Sequence, residues 1–528
     1  MAGLKKTRIK EKKERKQIKK ENRVEEDYYI AVSTFEWFPG VCIYHSRDLQ
    51  NWELIARPLE RTSQLDMRGN DASGGVFAPC LSYDQGTYYL VYSNVRTHWY
   101  EFMDCQNYLV TAKDIKGPWS DPVYLHSAGF DSSLFHDTDG KKYLVGLIRH
   151  YRKDRIQKIF LQEYDDKEKR LIGKLKEIYA GSGISIPEGP HLYKKGGYYY
   201  LLTAEGGTEY GHAVTMARSR NIEGPYELHP GNPILTSRDN LRADLQKAGH
   251  ADLVETPDGQ WYMVHLCARP LPPFRRCPLG RETAIQKVVW KDDEWLYLET
   301  GKREPQVRVP GITKTRKREK RKYFYKFHDK ISKDFHSLRI PMESFATLSE
   351  RPGYLRLNGL DSPNSRFEQA FLARRQEDFC FRMETRMEFH PVSERQMAGL
   401  MYFYDEEDFY YLYLSRNPQG ENYVHVMQMD RGKLKFSVCG EITVEDKPIF
   451  LRLEVRNTRG KFAYSMDGRN WNPVGKEWEA DKISDEYPLE GAYTGAMTGV
   501  ACHDMLYRNA KADFEYILYQ EICENMEH

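Results

Sequence analysis

The chain has 528 residues, which is too long for one ordinary hydrophobic core and enough for two or three domains. Its formal charge of +2 is uneven: residues 1–23 carry eleven Lys/Arg and three Glu, a net of +8, so the remainder sums to −6. A mildly acidic body argues against nucleic-acid binding as the main activity. Since no apolar run approaches the ~20 residues needed to cross a bilayer, we also expect no membrane partner.

The nine cysteines are scattered and form no C-x-x-C pair. This pattern predicts neither a disulfide framework nor a zinc site, and it is typical of a reducing compartment. The N-terminus also lacks the apolar segment of a secretory signal. We therefore expect a cytoplasmic protein.

Residues 1–23 form a basic segment that we predict to be disordered and solvated, or aberrant. An alternative interpretation is a basic arm that binds nucleic acid or anionic surfaces.

A short pattern with β-strand character recurs five times in the first 300 residues. Its central tyrosines are separated by 60, 54, 57 and 62 residues, and are Tyr29, Tyr89, Tyr143, Tyr200 and Tyr262. Four of the five copies follow glycine-containing turns of the kind that close β-hairpins. Five units of this length, each able to hold about four strands, predict a five-bladed β-propeller over residues 24–300. The alternative is a β-sandwich or barrel with accidental similarity.

Twelve positions before the repeat tyrosines lie Phe77, Asp131, Glu188 and His250. Equivalent positions of propeller blades surround one axis, so these side chains should converge at one end of the channel. Converging carboxylates suit glycoside hydrolysis, in which one carboxyl group protonates the leaving oxygen and another activates water. Taken singly, each residue also has a structural interpretation: a carboxylate that binds backbone N–H groups, a core histidine or a packing phenylalanine.

The same step from Tyr29 reaches Gln17, which lies in a Lys-rich stretch and not in an alternating strand. The first blade therefore lacks both its expected inner strand and a carboxylate at this position.

Residues 301–322 are basic and contain two prolines, which predicts a linker. From residue 323 to 528, short alternating strands separated by turns predict an antiparallel β-sandwich. The fold class is thus all-β, a propeller followed by a sandwich.

Six stretches resemble glycoside hydrolase family 43, specifically the β-xylosidases with a C-terminal, concanavalin-like β-sandwich. They include DYYIAVSTFEWFPGV (27–41), FDSSLFHDTDGKKYLV (130–145), PEGPHLYKKGGYYYLLTAEGGT (187–208) and PLGRETAIQ (278–286). The resemblance runs from about residue 24 to the C-terminus.

The resemblance implies a role for each matching position. Glu188 matches the general acid, and Asp131 matches the carboxylate that tunes the pKa of the acid and orients the pair. Arg281 matches an arginine beside the bound sugar. Phe35, Phe77 and Phe130 match the apolar walls of the pocket. His250 matches the histidine at its floor, where some relatives hold a calcium ion or water, although no cofactor is required.

Family members normally begin with an N-P-D-P-S motif whose Asp is the general base, and this chain has no such motif. We expect an inverting, exo-acting β-1,4-xylosidase acting on xylo-oligosaccharides or other pentose glycosides, with α-L-arabinofuranosidase side activity and impaired by the missing base. The alternative is an inactive protein that binds xylose or xylo-oligosaccharides. The resemblance also implies a homo-oligomer and a sandwich loop, placed at 494–504, that closes the pocket.

Overall fold

The computed structural model describes residues 23–24, 26–98, 102–152, 157–313, 318–436, 438–489 and 492–523. Within these ranges the protein is all-β, and its helical elements are short 3-10 turns at Met342–Ser344 and Ala480–Lys482. No helix in this part of the chain is long and apolar enough to cross a membrane. The predicted fold class, a five-bladed propeller followed by a β-sandwich, is confirmed.

Each propeller blade is one antiparallel sheet built from consecutive strands. Blade 1 contains β1 (Arg23–Val24), β2 (Asp27–Val32), β4 (Cys42–Ser46) and β5 (Glu53–Ala56), while β3 (Trp37–Phe38) leaves it. Blade 2 contains β6 (Gly75–Asp84), β7 (Thr87–Thr97), β8 (Asp104–Ala112) and β9 (Val123–His126). Blade 3 contains β10 (Ser133–His136), β11 (Lys142–Arg149), β12 (Gln157–Asp165) and β13 (Arg170–Tyr179).

Blades 4 and 5 complete the ring. Blade 4 contains β14 (Glu188–Lys195), β15 (Tyr198–Glu205), β16 (Ala213–Ser219), β17 (Glu227–Leu228) and β18 (Leu235–Thr236). Blade 5 contains β19 (Gln246–Glu255), β20 (Trp261–Ala268), β21 (Glu282–Trp290) and β22 (Leu296–Leu298). All five repeat tyrosines lie in the second strand of their blade, so the repeat reflects one strand position copied around the axis.

Five apolar clusters lie between neighbouring blades and hold the ring together. Burying apolar surface at every seam is the main stabilising term, at about 25 cal/mol per Å². The seam between blades 5 and 1 has the smallest buried cluster, made of Tyr28, Val254 and Tyr262. This seam lies beside β1, of which residues Arg23–Val24 are described.

Part of the predicted linker covers the seam between blades 5 and 1. Val309 and Ile312 pack against its cluster. The Gln50 side-chain amide donates a hydrogen bond to the Thr313 carbonyl at 3.0 Å, and the Tyr262 hydroxyl donates to the Pro310 carbonyl at 3.1 Å. This portion is therefore packed on the propeller and is not a solvated tether.

The sandwich consists of two antiparallel sheets with a continuous core between them. The eight-stranded sheet contains β23 (Lys322–Lys326), β25 (Ala346–Thr347), β26 (Leu355–Asn358), β28 (Cys380–Phe389), β34 (Ile449–Arg456), β35 (Arg459–Ser465), β36 (Asn472–Glu479) and β38 (Lys511–Glu521). The nine-stranded sheet contains β3, β24 (His336–Leu338), β27 (Ala370–Arg375), β29 (Gln396–Phe403), β30 (Phe409–Arg416), β31 (Asn422–Asp430), β32 (Lys433–Lys435), β33 (Ile442–Thr443) and β37 (Met497–Asp504).

A strand from the propeller joins the second sheet. Residues Trp37 and Phe38 of β3 pair with β24, and the Trp37 ring contacts Phe371 at 5.7 Å and Phe403 at 5.9 Å. Beside this strand the buried Arg339 guanidinium hydrogen-bonds Glu406 and the Asn70 carbonyl. Shared backbone pairing, together with hydrogen bonds from Arg339 to the Asn70 and Glu36 carbonyls, joins the two domains.

The structure differs from the sequence-based expectation for cysteine, because Cys380 and Cys523 form a disulfide with a Cα–Cα distance of 5.3 Å. Their separation of 143 residues hid the pairing from spacing arguments. The other seven cysteines, all within the described ranges, are free thiols.

The contact between Gly280 and Gly495 gives a test of domain docking. Both glycines have positive φ, and a Cβ on Gly495 would lie 2.7 Å from the Gly280 nitrogen. We expect Gly495→Ala to destabilise the protein by roughly 1–3 kcal/mol through overpacking and strain, measured as a lower thermal midpoint. Gly301→Ala is the control, since Gly301 has φ +70° and no atom within 4 Å of an added Cβ. Equal losses from both substitutions would contradict close docking at Gly280.

Candidate active site

The inner strands of blades 2 to 5 each begin with an irregular backbone. A residue with positive φ recurs there, at Ala78 (27°), Asp131 (55°), Gly189 (51°) and His250 (48°). Register shifts typical of β-bulges occur at the same place in blades 2, 4 and 5. Bulges turn side chains away from the regular alternation, and strained non-glycine residues cluster at functional sites. The repeated irregularity therefore turns one side chain per blade toward the axis.

Asp131 is buried and Glu188 is half-buried, and the two carboxyl groups lie close enough for their charges to interact. Burial raises the pKa of Glu188 to about 7, against the lowering effect of the Arg281 and Arg149 charges. Burial and the neighbouring Glu188 both raise the pKa of Asp131, while Arg281 and a hydrogen bond from the Gly189 N–H lower it. Since two close carboxylates resist joint ionisation, the pair retains a proton near neutral pH.

Arg281 supplies the positive charge that both carboxyl groups experience. Its guanidinium donates to the Thr208 hydroxyl at 2.9 Å. It also lies over two aromatic rings, 5.2 Å from the Phe35 centroid and 4.9 Å from the Tyr493 centroid. Cation–π contact on two sides fixes the planar group, so its remaining donors are held toward the cavity.

Aromatic side chains form the walls of the site. Phe77 packs edge-on against Phe35 at 5.7 Å and against Phe130 at 5.9 Å. Tyr493, which comes from the sandwich, contacts Phe35 at 6.2 Å and Phe77 at 6.0 Å. Apolar rings around a few polar groups are typical of a site that stacks on a sugar ring.

His250 lies at the base of the same site. Its Nδ1 is 4.0 Å from an Asp131 carboxylate oxygen, and a Cβ on Gly189 would lie 2.5 Å from its Nε2. Burial holds the pKa of His250 well below its usual range, so the ring is neutral. Only glycine at 189 leaves room for this imidazole.

The calcium ion that some relatives hold near His250 stays a prediction for this protein. Calcium prefers six to eight oxygen ligands, whereas His250, His191 and His212 present imidazoles here. Among the described residues, no group of three or more His, Cys, Asp or Glu side chains is arranged to hold a metal.

All seven described residues singled out by the sequence line one cavity of about 870 Å³, within the usual range of about 300–1,000 Å³ for small-molecule pockets. They are Phe35, Phe77, Phe130, Asp131, Glu188, His250 and Arg281. Gln17, the position predicted for the missing base, lies outside the described residues. From the predicted closing loop only Met497 lines the cavity, and residues 497–504 form strand β37.

Sequence reasoning missed Tyr493, which lines the cavity one residue before the predicted loop. It also missed Glu209, a cavity-lining carboxylate on the β15–β16 connection. Glu209 pairs with Lys247 at 3.1 Å and belongs to the same blade as Glu188, so it does not face Glu188 across the axis. Neither residue belongs to a repeated register, and no signal in the sequence marks them.

A pair of neighbouring carboxyl groups beside a clamped arginine, in an aromatic-walled cavity at the end of a propeller axis, defines a carbohydrate-cleaving type of site. The chain belongs to glycosyl hydrolases family 43, whose family model matches residues 20–296. Residues 321–520 match the β-xylosidase C-terminal concanavalin A-like domain. The protein is therefore a glycosidase.

Relatives match over nearly the whole chain. A xylosidase/arabinosidase 43B of Humicola insolens is 46% identical, covering 95% of each chain. A β-xylosidase of Bacillus subtilis (strain 168) is also 46% identical, covering 94% of this chain and 96% of the relative. The crystal structure of a xylan β-1,4-xylosidase from Bacillus halodurans C-125 superposes with a TM-score of 0.92 at 46% identity, covering 94% of this chain and 97% of that one.

The raised pKa of Glu188 predicts a pH-dependent stability. A carboxyl group whose pKa rises on folding stabilises the protein fully below its unfolded pKa, near 4.3, and this stability is lost as pH rises through about 7. We expect Glu188→Gln to reduce the loss of unfolding free energy between pH 5 and pH 8 by roughly 2 kcal/mol. Denaturant titrations at both pH values measure this. Glu209→Gln is the control carboxylate, and an unchanged slope in Glu188→Gln would contradict the buried-acid assignment.

Proposed function

We propose that the protein is an exo-acting, inverting β-1,4-xylosidase that releases xylose from the non-reducing end of xylo-oligosaccharides, with α-L-arabinofuranosidase side activity. The observation that carries this proposal is the pair of neighbouring carboxyl groups, Asp131 and Glu188, in the lining of the aromatic cavity, where burial raises the pKa of both. The names of relatives support the pentose preference, since they are xylosidases and arabinosidases. Tyr493 of the sandwich lines the cavity beside Arg281, so both domains contribute to the proposed sugar-binding site.

In the proposed reaction Glu188 donates its proton to the leaving oxygen as the bond from that oxygen to the anomeric carbon breaks. Water attacks the same carbon from the opposite face, which inverts its configuration. Asp131 raises the proton affinity of the pair and orients it, while Arg281 binds sugar hydroxyls. Phe35, Phe77 and Phe130 contact the apolar face of the sugar, and neutral His250 accepts or donates a hydrogen bond at the floor.

The proton released by the attacking water needs a base. Besides Asp131 and Glu188, the described residues that line the cavity include two carboxylates, and both already have partners. Glu209 pairs with Lys247, and Asp252 accepts hydrogen bonds from Tyr193 and the Leu253 N–H. We therefore propose that hydrolysis is impaired. A second candidate function, binding of xylose or xylo-oligosaccharides without turnover, is favoured by this same observation.

Three further assignments belong to this proposal. We expect a homo-oligomer and no nucleic-acid or membrane partner. We propose a cytoplasmic location on the basis of the seven free cysteines, to which the Cys380–Cys523 disulfide is the exception. No cofactor is needed for the acid–base steps above.

Replacing residues 1–23 with a segment carrying N-P-D-P-S tests the missing base. We expect the rate of xylose release from xylobiose to rise by roughly 10²–10⁴-fold, the usual contribution of one acid–base group. Chromatography of the released xylose measures this rate. The matched control carries N-P-N-P-S, which keeps the shape and removes the charge. No recovery with the aspartate version would refute the base assignment, and a calorimetric titration with xylose would then show whether binding alone remains.

The general acid is tested by its dependence on the leaving group. In the restored chain, Glu188→Gln should slow xylobiose hydrolysis by roughly 10²–10⁴-fold. A nitrophenyl xyloside should be slowed much less, because its leaving group departs without protonation. Glu209→Gln should leave both rates close to the parent. Equal slowing of both substrates by Glu188→Gln would show that Glu188 does not donate the proton.

A further inference from the structure

The acidic side chains near the mouth of the cavity have cations of their own. Glu209 pairs with Lys247 at 3.1 Å, and Asp71 pairs with Arg366 at 3.1 Å. Arg149 differs from these cations. Across the described residues no carboxylate lies within ion-pair distance of its guanidinium, whose side-chain contact is with the Met103 sulfur at 3.4 Å. A half-buried guanidinium with this environment has unused donors and an unneutralised charge.

The backbone places Arg149 just outside the sugar pocket. Leu147 N–H donates to the Phe130 carbonyl at 3.4 Å, and Arg149 N–H donates to the Ala128 carbonyl at 3.0 Å. Since Phe130 lines the cavity, Arg149 lies about 7 Å further along the strand, at about 3.3 Å per residue. Its charge also lowers the pKa of Glu188. Arg149 therefore lies close enough to the proton donor for its charge to act on Glu188.

A cation at this place opposes the function of a general acid, because it favours the ionised form of Glu188. The opposition is relieved when a bound substrate brings a carboxylate to the guanidinium. Arginine binds carboxylates through two parallel hydrogen bonds, which gives both affinity and geometric selectivity.

Exposed aromatic rings flank Arg149 on the two connections. Phe102 is 70% and Tyr151 48% exposed, and their rings are 5.0 Å apart. Exposed rings beside a sugar pocket are apolar surfaces on which further sugar units can stack. Aromatic rings next to an unpaired guanidinium match an oligosaccharide that carries an acidic substituent.

We propose that Arg149 is a specificity-determining residue that binds the carboxylate of an acidic xylo-oligosaccharide, one bearing a uronic acid on the leaving-group side of the scissile bond. This inference rests on the proposed function of the cavity, which binds the terminal xylose. Phe102 and Tyr151 stack on the following sugar units, whether or not these are acidic.

Calorimetric titrations in a Glu188→Gln background, which prevents turnover, test the assignment. The probes are xylotriose and xylotriose with one glucuronic acid on its second xylose. We expect the acidic probe to bind about tenfold more tightly, as for one charge-assisted hydrogen-bonded pair. Adding Arg149→Gln should bring the two affinities within about twofold, and high salt should weaken the preference.

Arg152→Gln is the matched control. Arg152 is exposed and lies over the Tyr151 ring, and its charge, unlike that of Arg149, is not among those that shift the pKa of Glu188. This control should keep the preference for the acidic probe, whereas Phe102→Ala should weaken both probes alike. Equal affinities in the parent, or a preference that survives Arg149→Gln, would overturn the assignment of Arg149 alone. If neither probe binds, the proposed function of the cavity fails as well.

Discussion

The interaction between two neighbouring carboxyl groups is the constraint on which the rest of the structure depends. Asp131 and Glu188 cannot both be ionised at low cost where they lie, so a cation is needed beside them. Arg281 is that cation, and it is held between Phe35 of the propeller and Tyr493 of the sandwich. Docking of the second domain therefore shapes the electrostatics of the site. The pairing of β3 with β24 and the hydrogen bond from Arg339 to the Asn70 carbonyl hold the two domains together.

The sequence predicted the part of the site that propeller symmetry repeats. Asp131, Glu188 and His250 share a register because each blade presents the same strand position to one axis, and Phe77 follows the same rule. Phe35, Phe130 and Arg281 were found only through the family resemblance, since they lie on connections whose lengths vary between blades. Tyr493 and the Cys380–Cys523 pair could not be predicted, because both depend on contacts between distant segments with no periodic signal.

Blade 1 shows what happens when one module departs from the repeat. Its inner strand β1 has two described residues, whereas β6, β14 and β19 have ten, eight and ten. An inner strand contributes both to the packing of two seams and to one position at the axis. Among the described residues, the cluster at the seam with blade 5 has three buried members, and Val309 and Ile312 pack against it. Part of the segment predicted as a linker, residues 309–312, thus packs on the propeller at this seam. A change in the inner strand of blade 1 would affect both the packing of the seam and the side chain presented to the axis.

The charged side chains around the cavity are of two kinds: those that form ion pairs within the protein, and those whose charge is available to bind a ligand. Lys247 forms ion pairs with Glu209 and Glu486, and 3% of its side chain is exposed. These ion pairs compensate for the burial of its charge, so Lys247 has a structural role. In the described part of the chain Arg149 has no such carboxylate, and its charge lowers the pKa of the proton donor Glu188. Folding alone gives no reason to retain a cation there, because a neutral side chain would leave Glu188 a better acid. The position of Arg149 is explained if tighter binding of acidic substrates on the leaving-group side outweighs the weaker acidity-matching of Glu188 toward neutral substrates. The sugar pocket and its mouth then recognise different features: the pocket binds the terminal pentose by shape, and the mouth reads the charge of the sugar beyond it.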